Sequence, residues 1–415
     1  MSPPSDDGPI TLQFRNITRV AGETLQGTVL VNVQLAQEDK IEQVRIKFRG
    51  SIHTSITESN GQSSTTYKQT IPLFHQKTPL WTQGSAYPDP GSHILSLPFE
   101  FTLPADLPPS FHCYAVNRHA TIGYSLEVVG DRPGMFKFNR RIRRAISIVP
   151  AATPRQLLTR ESLLQTWTGA WKPWVREEKL RRGIWGDYSH ARATFTMPHL
   201  GFYPISTPIP FSLLIETDTK PMDREDCPDK PVDKNGKPLF PAPPTLSSEV
   251  KLSLYRWTQL RVKSRVRQVE DTYKLSNSLG DPHCVAAVVH TESPPEWIVA
   301  PGSKDEKGKG FWRRAIKFES AVTINYAPTW QGETLRWHYQ LTFTIPFPGI
   351  RNDFKIFIPI QLDTSRPCPP PPKGVAGSSG PSYADVLPPG PPPMLDDLPP
   401  AYWAGDHHGW EDDKK

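Results

Sequence analysis

The stretch LRWHYQLTFTI, residues 335–345, constrains the fold most, because apolar and polar side chains alternate through it without a break. The apolar positions are Leu335, Trp337, Tyr339, Leu341, Phe343 and Ile345. A period of two sustained over eleven positions predicts a strand with one face on a core and the other in water. This part of the chain must therefore contribute to a half-buried sheet.

The same alternation recurs in several other segments. VRIKFRG places Val44, Ile46 and Phe48 inward, with Arg45, Lys47 and Arg49 outward. VLVNVQL (29–35) and FKIFIPI (354–360) repeat the pattern. The chain also has 47 prolines, about twice the average usage of ~5%, which interrupt these segments. Many short strands between Gly, Pro, Asn and Asp turns predict antiparallel β-sandwiches rather than βαβ units.

Helical spacing is convincing in one region only. PRQLLTRESLLQTW, residues 154–167, begins with a proline and spaces its apolar residues as a helix does, and WVREEKLRR follows it. We interpret residues 151–188 as a basic, Trp-rich insert between domains, with one or two helices. Its faces either pack between the domains or rest on a membrane surface.

The two β-rich parts resemble each other weakly. The first has Tyr124 in a strand, a break at Pro133-Gly134 and a closing strand that ends at Val149; the second has Tyr339, a break at Pro348-Gly349 and a closing strand that ends at Ile360. This order predicts two copies of one sandwich topology.

The last part of the chain differs in composition. Residues 364–415 contain thirteen prolines among mostly Gly, Ser, Asp and Ala, which predicts a disordered or polyproline II tail. The predicted organisation is a flexible start (1–8), a first sandwich (9–150), the insert (151–188), a second sandwich (189–363) and the tail (364–415).

Composition excludes several functional classes. The net charge of +6 is too small, without a recognition helix or stacking aromatics, to indicate nucleic-acid binding. The four cysteines form no CxxC pair, which favours a reducing cytosol. The start MSPPSDDGPI predicts no signal peptide, and no apolar run reaches membrane-spanning length. Because HExxH, GxSxG and GxGxxG are absent and GSKDEKGKG has the wrong spacing for a phosphate loop, we expect no enzyme activity, cofactor or metal.

Four motifs in the first half carry a family resemblance. RVAGETLQGTVLVNV, VRIKFRG, HILSLPFEFTLPADLPPSF and ATIGYSLEVV together resemble the N-terminal arrestin domain. Residues 189–363, which end in FIPIQL, resemble the second arrestin domain, although YPISTPIPF stands where a Pro-Gly-Glu turn would be expected. With a PPxY motif in the tail, the chain resembles the fungal α-arrestins, which are arrestin-related trafficking adaptors.

The PPxY motif is LPPAYW, with Leu398, Pro399, Pro400 and Tyr402. The two prolines fix φ near −65°, so the segment is already in the polyproline II conformation that an aromatic groove selects. One polyproline turn then puts a proline and the tyrosine on the same side, as WW domains require.

A second, degenerate copy of the motif lies nearby. GPSYADV keeps Pro381 and Tyr383 but has Gly380 in place of the first proline. We expect it to bind WW domains more weakly, and to assist only through effective concentration when a partner carries several such domains.

The resemblance implies a non-catalytic adaptor. Its tail would recruit a WW-domain HECT-type ubiquitin ligase, while its sandwiches hold the cytosolic tail of a membrane transporter or receptor. Ubiquitinated cargo would then undergo endocytosis and vacuolar sorting. The implied localisation is cytoplasmic, with recruitment to the plasma membrane and endosomes. Two alternatives are a retromer-like coat subunit and a receptor-desensitising arrestin that binds phosphorylated tails.

Basic runs are the other candidate binding residues. They are NRRIRR, with Arg140, Arg141, Arg143 and Arg144; REEKLRR, which ends in Arg181 and Arg182; and RVKSRVR, residues 261–267. Each run is either a solvated sheet face or a contact for anionic lipid headgroups or acidic cargo tails. In the second case each basic residue near a membrane contributes about 1 kcal/mol.

Overall fold

The structure is a computed structural model that describes residues 8–134, 138–182, 188–225, 229–276, 279, 286–300, 308–349 and 352–369. Its described residues form two antiparallel β-sandwiches in tandem, joined by a short helix. The all-β prediction is thereby confirmed.

The N-terminal sandwich contains ten strands and one helical turn among the described residues. In chain order they are β1 (Ile10–Phe14), β2 (Arg19–Val20), β3 (Thr24–Asn32), α1 (Val33–Glu38), β4 (Gln43–Ser59), β5 (Ser64–Thr82), β6 (Ile94–Thr102), β7 (Phe111–Ala115), β8 (Arg118–Asp131), β9 (Arg140–Ile146) and β10 (Ile148–Val149).

The helix α2 (Pro154–Leu164) leads into the C-terminal sandwich. The strands of this part are β11 (Trp171–Arg181), β12 (Tyr188–Pro198), β13 (Tyr203–Pro204), β14 (Ile209–Asp218), β15 (Met222–Asp223), β16 (Lys251–Val262), β17 (Arg265–Ser276), β18 (Val289–Val299), β19 (Lys309–Val322), β20 (Trp330–Gln331), β21 (Leu335–Ile345), β22 (Phe354–Ile360) and β23 (Leu362–Asp363). A single 3-10 turn, Ser247–Glu249, precedes β16.

The two halves share one strand order. In the first, one sheet runs β5-β4-β8, with β7 and β9 both paired to the far edge of β8; in the second, β17-β16-β21 carries β20 and β22 on the far edge of β21. Each half also has a short parallel pair, β2 with β10 and β13 with β23. The two halves therefore have the same topology, as the sequence predicted.

A buried tyrosine occupies the equivalent place in both repeats. The hydroxyl of Tyr124 donates to the carbonyl of Pro108 at 2.6 Å, and that of Tyr339 donates to the carbonyl of Ala327 at 2.8 Å. Each ring is almost fully buried, so its hydroxyl needs an internal acceptor. Burial raises the pKa of both phenols, so they remain neutral donors at physiological pH.

The strand patterns read from the sequence are mostly confirmed. The apolar positions of β21, β22 and the first part of β4 are buried, and Arg45, Lys47 and Arg49 point to the outer face of their sheet. The stretch VLVNVQL is an exception, because β3 ends at Asn32. The Asn32 side chain accepts a hydrogen bond from the amide of Leu35 at 3.2 Å, which caps α1 and turns the chain out of the sheet.

The predicted helical insert, residues 151–188, is helical only in its first part. Helix α2 starts with a capping box in which Thr153 and Gln156 bond each other's backbone amides. After it, residues 171–181 form β11, which pairs with β12 along its whole length. The reason is a period of two, which turns Trp174 and Leu180 toward the core. The second sandwich therefore begins at β11 rather than at residue 189.

The end of the second sandwich returns to the linker. The carbonyl of Arg366 accepts a hydrogen bond from the amide of Ala152 at 2.8 Å, and the Gln156 side chain donates one to the carboxylate of Asp363.

Within the described part of the chain, no helix is long and apolar enough to cross a membrane.

The close approach of β4 to the core gives a test of the packing. A Cβ at Gly50 would lie 2.5 Å from the ring of Tyr124 and 2.8 Å from that of Phe74. We expect Gly50→Ala to lower the free energy of unfolding by about 2 kcal/mol through overpacking, measured by urea denaturation. Gly201→Ala is the control, because a Cβ there meets open space; equal effects of the two substitutions would contradict the packing.

Candidate functional site: a basic sheet face and the domain interface

A buried carboxylate lies beneath four cations on the outer face of the β4-β8-β9 sheet. Glu127 on β8 is 2% exposed. Its Oε2 is 3.8 Å from Lys47 Nζ and 3.9 Å from Arg49 Nη2, and its Oε1 is 3.6 Å from Arg141 Nη1 and 3.7 Å from Arg143 Nη2. The register causes this arrangement, because Glu127 is directly opposite Lys47 on one side and Arg143 on the other. We call these five residues the Glu127 cluster.

The charges of the Glu127 cluster do not balance. Four cations share one carboxylate, all beyond hydrogen-bond distance, so the attraction is Coulombic. Glu127 Oε2 accepts no hydrogen bond among the described residues. Within these five residues positive charges outnumber negative ones by 4 − 1 = 3, on a surface where Arg141 is 45% exposed. Such a surface attracts anionic groups.

One end of this face carries neutral pairs. Arg45 pairs with Asp131, and Arg140 Nε donates to Asp39 Oδ2 at 2.7 Å. The hydrogen bond from Arg140 lowers the pKa of the Asp39 carboxyl. These pairs neutralise the charge at that end of the sheet.

The structure separates the six predicted basic residues into two groups. Arg140, Arg141, Arg143 and Arg144 all lie on β9; Arg141 and Arg143 reach Glu127, and the Arg144 side chain donates to the carbonyl of Arg143 at 3.1 Å. Arg181 lies over the ring of Tyr188 at 5.3 Å, at the end of β11 in the other sandwich. Arg182, which is exposed, follows it. The six residues do not form one site.

Sequence reasoning identified the arginines but not the group that organises them. It placed Lys47 and Arg49 on the outer face without connecting them to NRRIRR, and it assigned no role to Glu127. A signal was present: Glu127 is the one charged residue in the strand segment YSLEVV. A lone carboxylate in a central strand needs cations from its neighbours, because burial of an unpaired charge is strongly unfavourable.

Arg256 on β16 joins the two sandwiches. It is 2% exposed. Its Nη2 donates to Asp271 Oδ2 at 2.6 Å and to the carbonyl of His112, in the first sandwich, at 3.2 Å. Its guanidinium lies 4.6 Å from the centre of the Phe111 ring, which stacks on Trp337 at 3.9 Å. An arginine can satisfy all these contacts at once because its planar group offers several donors and a face for stacking.

The LPPSF segment, residues 107–111, resembles the tail motif but belongs to the fold, as the sequence analysis assigned it. Leu107 through Phe111 are buried, and Phe111 contributes to the domain interface. The segment is therefore inaccessible to a WW domain.

Exposed contacts between the two sandwiches surround the buried Arg256. Glu58, at the tip of the β4–β5 hairpin, pairs with Arg265 at 3.0 Å and with Arg267 at 2.5 Å. The hydrogen bond from Arg265 lowers the pKa of the Glu58 carboxyl. Arg118 Nη1 donates to the carbonyl of Gln268 at 2.5 Å. Part of the basic run RVKSRVR thus connects the two sandwiches.

Cys113 lies beside the buried centre of the interface. Its Sγ is 3.8 Å from Asp271 Oδ2. Burial, and then the charge of Asp271, raise the pKa of this thiol to about 11. A thiol that stays protonated is a poor nucleophile, so Cys113 acts here as a packing residue.

Several predicted residues cannot be placed. Leu398, Pro399, Pro400 and Tyr402 lie outside the described residues, as do Pro381 and Tyr383. Most of the GSKDEKGKG segment is also outside them. In the part that the structure does describe, no three His, Cys, Asp or Glu side chains are grouped so that they could hold a metal ion.

Comparison with known families gives one match. Residues 9–153 match the family "Arrestin (or S-antigen), N-terminal domain", which spans β1 to β10 and the start of the linker. No curated protein matches the chain. The protein is therefore arrestin-like in its N-terminal sandwich, in agreement with the motifs found there.

The Glu127 cluster gives a testable electrostatic prediction. Glu127→Gln leaves four cations without their shared counter-charge, so we expect the free energy of unfolding to fall by about 1–3 kcal/mol at low salt. The loss should shrink in 0.5 M NaCl, because salt screens repulsion among partly exposed cations. Urea denaturation at low salt and in 0.5 M NaCl measures this loss in the free energy of unfolding. Glu319→Gln, which removes the exposed partner of Lys317, should change stability by less than ~1 kcal/mol. A salt-independent loss at Glu127 would contradict the electrostatic explanation.

The interface gives a second prediction. Asp271→Asn removes the negative charge beside the buried guanidinium of Arg256, and we expect a loss of about 3 kcal/mol. Thermal and urea unfolding measure this loss of stability. The control is Glu292→Gln, because Glu292 pairs with Arg314 at 3.3 Å and is about half exposed. An Asp271→Asn protein as stable as the control would show that the ion pair does not stabilise the buried guanidinium of Arg256.

Proposed function

We propose that this arrestin-like protein is a non-catalytic adaptor that brings a WW-domain HECT-type ubiquitin ligase to membrane transporters or receptors. Ubiquitination of the cargo would then promote its endocytosis and vacuolar sorting. The observation that carries the proposal is the combination of an arrestin-type N-terminal sandwich with a PPxY motif beyond the last described residue. In this proposal the protein is cytoplasmic and is recruited to the plasma membrane and endosomes by its cargo.

The position where the described chain ends supports ligase recruitment by the tail. Ser365 is buried and Cys368 is exposed, near Gly22, so the chain reaches the surface at this point. Between Pro369 and Pro399 there are 399 − 369 = 30 residue steps. The composition of this stretch predicts a disordered or polyproline II segment, and a random coil of this length spans about 30 Å, which in this proposal lets a ligase domain bind without touching the sandwiches.

The Glu127 cluster supports the second part of the proposal, the contact with cargo. Its excess positive charge suits the acidic cytosolic tail of a membrane protein, or an anionic lipid surface beside that protein. The cations of this cluster are held in place by Glu127, so less side-chain entropy is lost when an anion binds. The remaining predicted residues, Arg181 and Arg182, would form a separate contact on the second sandwich.

The ion pair between the buried Arg256 and the partly exposed Asp271 favours one alternative, a receptor-desensitising arrestin. Such a protein is expected to contain a buried polar group between its domains and to select phosphorylated tails. Binding of matched cargo-tail peptides with and without phosphate distinguishes the two functions: the adaptor should bind an acidic tail regardless of phosphate, whereas the alternative should require it.

The ligase contact has a direct test in the full-length chain. We expect it to bind the tandem WW domains of a HECT-type ligase with micromolar affinity, about −8 kcal/mol. Tyr402→Ala should weaken binding at least about tenfold, because the tyrosine pocket stays empty. Isothermal titration calorimetry measures both values.

The degenerate motif supplies the matched control. Tyr383→Ala removes an equivalent side chain from a segment without the first proline, so it should change the affinity less than about threefold. Unchanged binding in the Tyr402→Ala chain, or equal losses in the two variants, would refute recruitment through LPPAYW.

A further inference from the structure

The charged surface around Glu127 extends beyond the Glu127 cluster, over four strands of one sheet. Residues directly opposite each other in an antiparallel sheet share a face, so the register arranges side chains in rows across β5, β4, β8 and β9. We call three successive rows the basic face: Pro79, Arg45, Val129 and Arg141; Lys77, Lys47, Glu127 and Arg143; and His75, Arg49, Ser125 and Ala145.

Positive charge dominates the basic face. Lysine and arginine occupy six of its positions and a carboxylate occupies one, so positive charges outnumber negative ones by 6 − 1 = 5. Asp131, outside these rows, pairs with Arg45 and offsets one of them. The side chains of Arg141 and Arg143 are 45% and 31% exposed, so these cations reach solvent. The face therefore attracts anions over its whole area.

The area of the basic face distinguishes between two kinds of anionic partner. Four strands put its outer columns about 14 Å apart, and the distance from Arg45 to Arg49 along β4 is also about 14 Å. An extended peptide has the width of about one strand spacing, ~4.8 Å, so it would meet one row or one column of these cations. A planar array of anionic headgroups meets all of them at once.

An exposed aromatic ring lies at one end of the basic face. Phe138 precedes β9 by two residues and is 89% exposed. Its neighbour Asn139 donates to Asp131 Oδ1 at 2.8 Å, which ties this part of the chain to the end of β8. Basic residues beside an exposed Phe are typical of surfaces that bind membranes, where the ring enters the headgroup region. The acidic side chains of a cargo tail offer the ring no apolar partner.

We propose that the basic face binds the surface of an anionic lipid bilayer, with Phe138 in the headgroup region. The inference rests on the proposed function, in which the Glu127 cluster contacts either cargo or the membrane beside it, and it assigns this face to the membrane. Glu127 holds the cations of the middle rows in place, and the anionic headgroups lie above them.

Vesicle flotation of the full-length chain tests this contact. Vesicles of phosphatidylcholine with about 30% phosphatidylserine are compared with vesicles of phosphatidylcholine alone. We expect the chain to bind the anionic vesicles only, and to bind them at least about tenfold more weakly in 0.5 M NaCl, because salt screens exposed charges. Free inorganic phosphate at constant ionic strength should not displace the chain, because a single small anion meets only part of the face.

Three variants locate the contact. Arg141→Gln/Arg143→Gln should weaken partition into anionic vesicles by about tenfold or more, because each basic residue near the membrane contributes roughly fivefold. Lys77→Gln, which leaves the four ion pairs of Glu127 in place, should weaken it by about threefold or more. Phe138→Ser should weaken it by a similar factor that salt does not change, because the loss is apolar.

The matched control is Arg336→Gln/Lys355→Gln. It removes the same charge from exposed positions on β21 and β22 of the second sandwich, so partition should change less than about threefold. Equal losses in the two double variants, or equal binding to neutral and anionic vesicles, would overturn the proposal. So would binding of a soluble acidic peptide without binding of anionic vesicles, which would assign the basic face to cargo tails instead.

Calorimetry with the WW domains separates this contact from ligase recruitment. The Arg141→Gln/Arg143→Gln chain should bind the WW domains as the wild type does, and the Tyr402→Ala chain should bind anionic vesicles as the wild type does. A wild-type chain that binds WW domains but no anionic vesicles would refute the membrane contact alone. A chain that binds the vesicles but no WW domains would refute ligase recruitment alone.

Discussion

The guanidinium of Arg256 is the group on which the arrangement of the two sandwiches depends. It is buried, and its acceptors come from both halves of the chain: the carboxylate of Asp271 and the carbonyl of His112. Its face covers Phe111, which in turn stacks on Trp337. Because a buried charge is tolerated only while its partners stay in place, the position of one sandwich relative to the other is fixed by a few atoms.

A similar principle orders the outer face of the first sandwich. Glu127 is buried in a central strand and attracts four cations that would otherwise repel one another. The result is a surface that is positively charged yet arranged before any partner binds. In the proposed adaptor, charge that is fixed in space would attract acidic tails with little demand on their exact sequence.

The two charge centres are connected through the same sheet. Strand β8 carries Glu127, and its partner β7 reaches Arg256 through the carbonyl of His112. In the proposed adaptor the ligase motif, residues 398–402, follows the described part of the chain.

The sequence by itself determined the strands, their buried faces, the repeated topology and the arrestin resemblance of the first half. These follow from side-chain alternation and turn residues, which are local properties of the chain. It misplaced residues 171–181 in a helical insert, because basic residues and tryptophans concealed the alternation of Trp174 and Leu180. Only the tertiary structure decided which charges meet. Glu127 and Arg256 acquire their partners through strand register and domain packing, and contacts between residues so distant in the chain leave no periodic signal in it.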